Sequence, residues 1–113
     1  MEKLILYRKY AKEIIRQVYD RLSGDDSITI QLIEDEERGH FLVFNNGWQD
    51  SQHRVYGCVA HIEVKPEGKI WLHQDKTDLV IGQMLLDREI PKSDIVLGFQ
   101  APIMRQDTEF AVG

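Results

Sequence analysis

The chain has 113 residues, 42% of them hydrophobic and 29% charged, which is the size and composition of one globular domain (1-113) with a single core. No apolar run approaches the roughly 18 residues that a membrane span needs, residues 1–21 are too interrupted by Lys and Arg for a signal peptide, and the lone Cys58 excludes an internal disulfide and fits the reducing cytoplasm. The net charge of −5 lacks the basic surplus with which proteins usually grip duplex DNA, so tight direct DNA binding is not expected.

Leu4, Tyr7, Ala11, Ile14, Ile15, Val18 and Leu22 recur at helical spacing and define the apolar stripe of a first helix. Its wet side carries Arg8, Lys12 and Arg16 one turn apart. Such a stripe is ordinarily a solvated face, and it is also the one candidate for weak nucleic-acid contact. Ser23-Gly24-Asp25-Asp26 reads as the stop and turn. Ile28, Ile30 and Leu32 alternate with polar residues as a strand, and Glu34 to Gly39 reads as an acidic turn. His40 to Asn45 is a second strand closed by a tight turn at Asn46-Gly47. Arg54 to Lys65 is a third strand and Lys69 to His73 a fourth, joined by the hairpin loop Pro66-Glu67-Gly68. Thr77 offers an N-cap to a second helix carrying Ile81, Met84, Leu85 and Arg88 on its inner side, and Pro91 stops it. Ile95 to Phe99 is a short buried strand. The expected fold is α+β: an N-terminal helix, antiparallel strands in a mixed sheet, and a second helix crossing over to a C-terminal strand.

A three-residue loop at Pro66–Gly68 sets the register of that hairpin. Counting back pairs Glu63 with Trp71, His61 with His73, and Val59 with Asp75. Tyr56, Cys58, Ala60, Ile62 and Val64 then face the core with Ile70 and Leu72, while His61, Glu63, Trp71, His73 and Asp75 gather on the opposite face. Two opposed histidines flanked by carboxylates could hold a divalent metal; an ordinary solvated or interface-covered face has the same composition. Trp71 ringed by His61, Glu63 and His73 is the candidate interface, able to serve a protein partner or a symmetric homodimer. The alternative is that the second helix or the C-terminal tail covers Trp71 within the monomer.

Other chemistries find less support. There is no glycine-rich phosphate loop, nucleophile elbow or CxxC pair. Cys58 lies on the expected core face, where a thiol is packing. Consecutive carboxylates Glu34 to Glu37 cannot all converge on one metal. No catalytic residues, cofactor or metal site are therefore assigned.

The succession Asp35-Glu36-Glu37-Arg38, His40, Gly47-Trp48, Arg54-Val55-Tyr56-Gly57, His61-Ile62, Gly68-Lys69-Ile70-Trp71, Thr77, Ile90-Pro91-Lys92, Asp94 to Phe99, Pro102, Arg105, Thr108 and Phe110-Ala111-Val112 resembles the XisI family, the fdxN-element excision controlling factors of cyanobacteria. The resemblance runs over nearly the whole chain. It departs at His73, where the family commonly has Gln, at Gln100-Ala101, where it commonly has His-Pro, and at Glu89, where it often has Gly.

The resemblance implies a non-enzymatic accessory role in the programmed DNA rearrangement that accompanies heterocyst differentiation, beside a separate recombinase and the nuclease-like companion XisH. An acidic loop occupying a basic cleft of that companion is one physical form such a role could take. A different class of function, a small ligand- or metal-binding domain or enzyme, would use the His61/His73/Trp71 face.

Overall fold

The computed structural model describes residues 2–24, 27–77 and 79–113. Asp25 and Asp26, read above as a turn, lie outside them. Helix α1 spans Glu2–Leu22, and its stripe of Tyr7, Ala11, Ile14, Ile15 and Val18 is buried. Strands β1 (Ile28–Asp35), β2 (His40–Trp48), β3 (Arg54–Val64), β4 (Ile70–Asp75) and β5 (Ile95–Leu97) form one sheet in that order. The first four are antiparallel and β5 runs parallel to β4, so α2 (Ile81–Asp87) is the crossover. A 3-10 turn at Lys92–Asp94 precedes β5, and the short α3 (Pro102–Arg105) follows it. The fold is thus α+β with a mixed sheet.

α1 and α2 share one side of the sheet. Phe41, Val43, Ala60, Ile62, Val64, Ile70 and Leu72 meet the α1 stripe and Ile81 and Leu85 of α2 in one core. At about 25 cal/mol per Å² of apolar burial, contacts of this kind dominate the stability. Tyr7 ties the first helix to the 3-10 turn that leads into β5: its hydroxyl donates to Asp94 Oδ2 at 2.5 Å, and Lys3 reaches the same oxygen at 2.9 Å. Burial first, and then that bond and charge, push the Tyr7 hydroxyl pKa up. On the other side Val96 and Ala111 form a parallel bridge, so the C-terminal tail returns to the β5 edge.

Two bulges correct the expected register. In β3 the pairing slips between Val43–Ala60 and Phe44–Cys58, which leaves Val59 as an extra residue. From Cys58 backwards the faces are exchanged. Tyr56, expected in the core, is 62% exposed, while Val59 is buried and Cys58 half-buried. In β4 the pairing slips between Ile62–Leu72 and His61–Gln74, so His73 is the extra residue. Asp75 pairs with Ala60 instead of Val59.

Asp75 thereby leaves the histidine face and serves α2, where Oδ2 accepts from Ile81 N at 2.9 Å. Thr77 is not the cap; its hydroxyl donates to Asp75 Oδ1 at 2.7 Å.

The turn expected at Asn46-Gly47 is also displaced. Both residues belong to β2, and the reversal falls at Gln49–His53, where Asp50 Oδ1 accepts from the backbone of Gln52 and His53 at 2.9 and 3.0 Å. Gly47 is there for room: a Cβ would stand 2.8 Å from Ile28 Cα and from Ser27 O.

Candidate functional site: an open sheet face

With both longer helices on one side, the other face of β1, β2 and β3 carries no helix among the described residues. Alternation along the strands brings Thr29, Gln31 and Ile33 of β1 beside Asn46, Phe44 and Leu42 of β2, and these beside Tyr56, Cys58 and His61 of β3. Ile33 is 44%, Trp48 51% and Tyr56 62% exposed. At the outer end the Arg54 guanidinium lies 5.5 Å from the Trp48 ring centroid and 5.2 Å from that of Tyr56. It also donates to Asn46 Oδ1 at 2.9 Å. This is an aromatic–arginine platform of the type enriched at interfaces. The sequence reading missed it because it placed Tyr56 on the core face.

At the inner end of the same face stand His61, Glu63, Trp71 and His73, brought together as expected, and His40 joins them. His40 is paired with Glu63 across β2 and β3; counting that second hairpin as well as the third would have found it. His73 Nε2 donates to Glu63 Oε1 at 2.8 Å, and His40 Nε2 lies 3.6 Å from Glu63 Oε2. A proton on His40 Nε2 leaves its Nδ1 to accept from His61 Nε2, 3.0 Å away. The ring centroids of His61 and His73 lie 4.7 Å apart, with the planes tilted by 43°.

Burial, together with the neighbouring His73 and His40, pushes the His61 pKa down to about 4. Burial also disfavours the charge on Glu63. The hydrogen bond from His73 and the charges of His40 and Lys65 outweigh it and hold the carboxyl below its usual range. The cluster is therefore a proton-sensitive polar patch. Among the described residues no group of three or more His, Cys, Asp or Glu side chains is arranged to hold a metal ion.

Trp71 is half-buried because the tail leans on it. The Arg105 guanidinium is 5.1 Å and the Lys65 ammonium 4.1 Å from its ring centroid. Arg105 is held in turn by the carbonyls of Gln100, Gly98 and Val112 at 3.0, 3.3 and 3.4 Å. Gly98 belongs to the same closure, since a Cβ there would sit 3.2 Å from Trp71 Cε3 and 3.1 Å from His73 Nδ1. The indole is thus shared between the tail and the open face.

The basic stripe lies elsewhere, over the acidic turn. Arg16 makes two bonds to Glu34, both 3.0 Å; Lys12 pairs with Glu36; and Arg8 donates to the Glu37 carbonyl at 3.3 Å. Cations read as a nucleic-acid contact and carboxylates read as a free acidic loop meet each other.

The family profile described as "XisI protein" matches residues 1–112. The fold is similar to that of a XisI-like protein from Anabaena variabilis ATCC 29413, with a TM-score of 0.89 and 39% identity over 97% of this chain and 99% of that one. It is also similar to the fdxN element excision controlling factor XisI of the same organism, with a TM-score of 0.87 and 39% identity over 98% and 99%. The curated proteins contain no match. No helix among the described residues is long and apolar enough to cross a membrane. On sequence, over essentially its whole length, and on fold, the chain belongs to the XisI family.

Proposed function

We propose that this chain is a non-catalytic, cytoplasmic accessory factor that controls programmed excision of a DNA element by binding a protein partner, an XisH-like companion or the recombinase. The observation that carries this reading is the open sheet face. It runs from Trp48, Arg54 and Tyr56 to His61, Glu63, Trp71 and His73, with exposed apolar area interleaved with polar groups. The similarity to an excision controlling factor supports the excision role, and the internal pairing of the basic stripe supports a protein partner over DNA.

The test is calorimetric titration of the purified chain with a purified XisH-like companion and, separately, with the recombinase. Trp71→Ala and Tyr56→Ala should each weaken binding by about 2 kcal/mol, with circular dichroism unchanged. Absence of binding to either protein would sink the proposal. So would full-strength binding by the double variant. An alternative ligand- or metal-binding use of His61, His73 and Trp71 predicts instead a stoichiometric small molecule or metal in the purified protein.

A further inference from the structure

We infer that β1 is a homodimer edge, at which two copies pair antiparallel about a two-fold axis through Gln31 and form one ten-stranded sheet. Among the described residues β1 is the end strand of the sheet: β2 lies on one side and no strand on the other. It offers eight residues of regular strand, Ile28–Asp35, whose outward N–H and C=O groups form a pairing template. Edge strands are normally blunted by proline, lysine, a bulge or short length. This one has no Pro and no Lys, and its pairing with β2 runs without a register shift from Ile28–Gly47 to Asp35–His40.

The pattern of the strand selects a second copy as the occupant. Two identical strands pair in a continuous sheet only if residues of the same face meet, so the axis must pass through a residue and not between two. With the axis at Gln31, Ile30 meets Leu32 of the second copy on the helix side, twice by symmetry. Ile30 and Leu32 are the half-buried residues that already pack against the core, so pairing extends that core across the seam. On the open side Thr29 meets Ile33, the 44% exposed aliphatic, and Gln31 meets its own copy, amide to amide.

Charge agrees. The ionic groups of β1, Glu34 and Asp35, sit together at one end, and antiparallel pairing sends the two copies' carboxylates to opposite ends of the seam. Each is also partnered within its own chain, Glu34 by Arg16 at 3.0 Å and Asp35 by Arg38 at 3.4 Å. A parallel arrangement would set the like charges side by side. The antiparallel seam joins the two open faces into one platform without using Trp71, so it stands independently of the proposed partner.

Sedimentation equilibrium of the full chain at micromolar to 100 micromolar concentration, with three variants, tests the inference. Wild type is expected to be dimeric. Gln31→Lys places two ammonium groups face to face at the axis and should weaken dimerisation roughly tenfold or more, while Trp71→Ala leaves it unchanged. Gln31→Cys provides the second readout: paired residues at the axis have Cα atoms about 4.5–5.5 Å apart, within disulfide reach, so mild oxidation should give a covalent dimer that wild type, with half-buried Cys58, does not. A strictly monomeric wild type overturns the inference. So does a dimer that survives Gln31→Lys, dissociates with Trp71→Ala and fails to cross-link through position 31.

Discussion

Arg16 grips Glu34 with two hydrogen bonds of 3.0 Å, one from Nε and one from a terminal nitrogen, and so fastens the wet face of α1 to the end of β1. With Lys12 on Glu36, the cations best spaced for phosphates are already answered by carboxylates. The isolated protein should therefore bind duplex DNA only weakly and in a salt-sensitive way, through Arg8, Lys12 and Arg16. A gel-shift series at several salt concentrations checks this. Glu34→Gln combined with Glu36→Gln should strengthen the binding and steepen its salt dependence by about 0.9 in log–log slope per cation released. A sub-micromolar, sequence-selective shift by wild type at physiological salt would defeat this expectation.

His61 should make the fold acid-sensitive well above the carboxylate range. Unfolded, it titrates near 6.5; folded, at about 4. Between these values the unfolded chain binds more protons, so the contribution is complete above pH 6.5 and is lost as the pH falls toward 4. The loss should be about 1–2 kcal/mol after allowance for solvent screening of a half-buried ring. Urea unfolding at pH 7, 5.5 and 4.5 measures it, and His61→Gln should flatten the profile in that window. The carboxyls with lowered pKa, Glu63 and Asp94 among them, act at lower pH. An unchanged slope in the variant would show that His61 is not the sensor.

Glu89 occupies a left-handed backbone position, φ +63°, just past the end of α2. Its N–H donates to Leu86 O at 2.9 Å, the geometry of a helix C-terminal cap, where glycine is the favoured residue. A side chain there carries a steric cost that glycine lacks. Glu89→Gly should stabilise the protein by about 0.5–1 kcal/mol net of glycine's greater unfolded-state entropy, visible as a thermal midpoint raised by a few degrees. A lower midpoint would mean that the Glu89 side chain contributes more than its backbone strain costs.

Metal should be dispensable for folding. His40 and His61 are bonded to each other and His73 to Glu63, and among the described residues no side-chain group is arranged to hold a metal ion, so a chelator should leave the thermal midpoint within error and metal-free protein should refold. A midpoint that collapses on chelation, or stoichiometric zinc after metal-free purification, would reverse this view.

The legibility of the fold followed the regularity of its elements. α1 could be read from a stripe repeated over five turns, and the third hairpin from its loop: Lys65 N donates to Lys69 O at 2.9 Å and Gly68 sits at φ +87°, as a three-residue connection requires. What periodicity could not carry was the extra residue at Val59 and at His73. One inserted residue exchanges the faces of everything beyond it, and nothing in the local composition marks the insertion. For that reason His61, Glu63, Trp71 and His73 were found together, whereas Tyr56 and Asp75 were assigned to the wrong sides. The Asn46-Gly47 pair misled in another way, because Gly47 relieves crowding against β1 in mid-strand. The neutralisation of Arg16 by Glu34 depends on how α1 lies across the sheet, which no local pattern encodes.

The bond from Tyr7 to Asp94 has a kinetic meaning as well. It closes a separation of 87 residues, and the α1 stripe rests on strands that are all synthesised after it. On a ribosome the first helix therefore emerges with its apolar side unsheltered and must wait for most of the chain before its last partner exists. Such non-local closure slows folding and prolongs exposure of sticky surface. Tyr7→Phe should then accelerate unfolding more than it slows folding, a split that stopped-flow measurements resolve, since a contact completed so late is formed only weakly at the barrier.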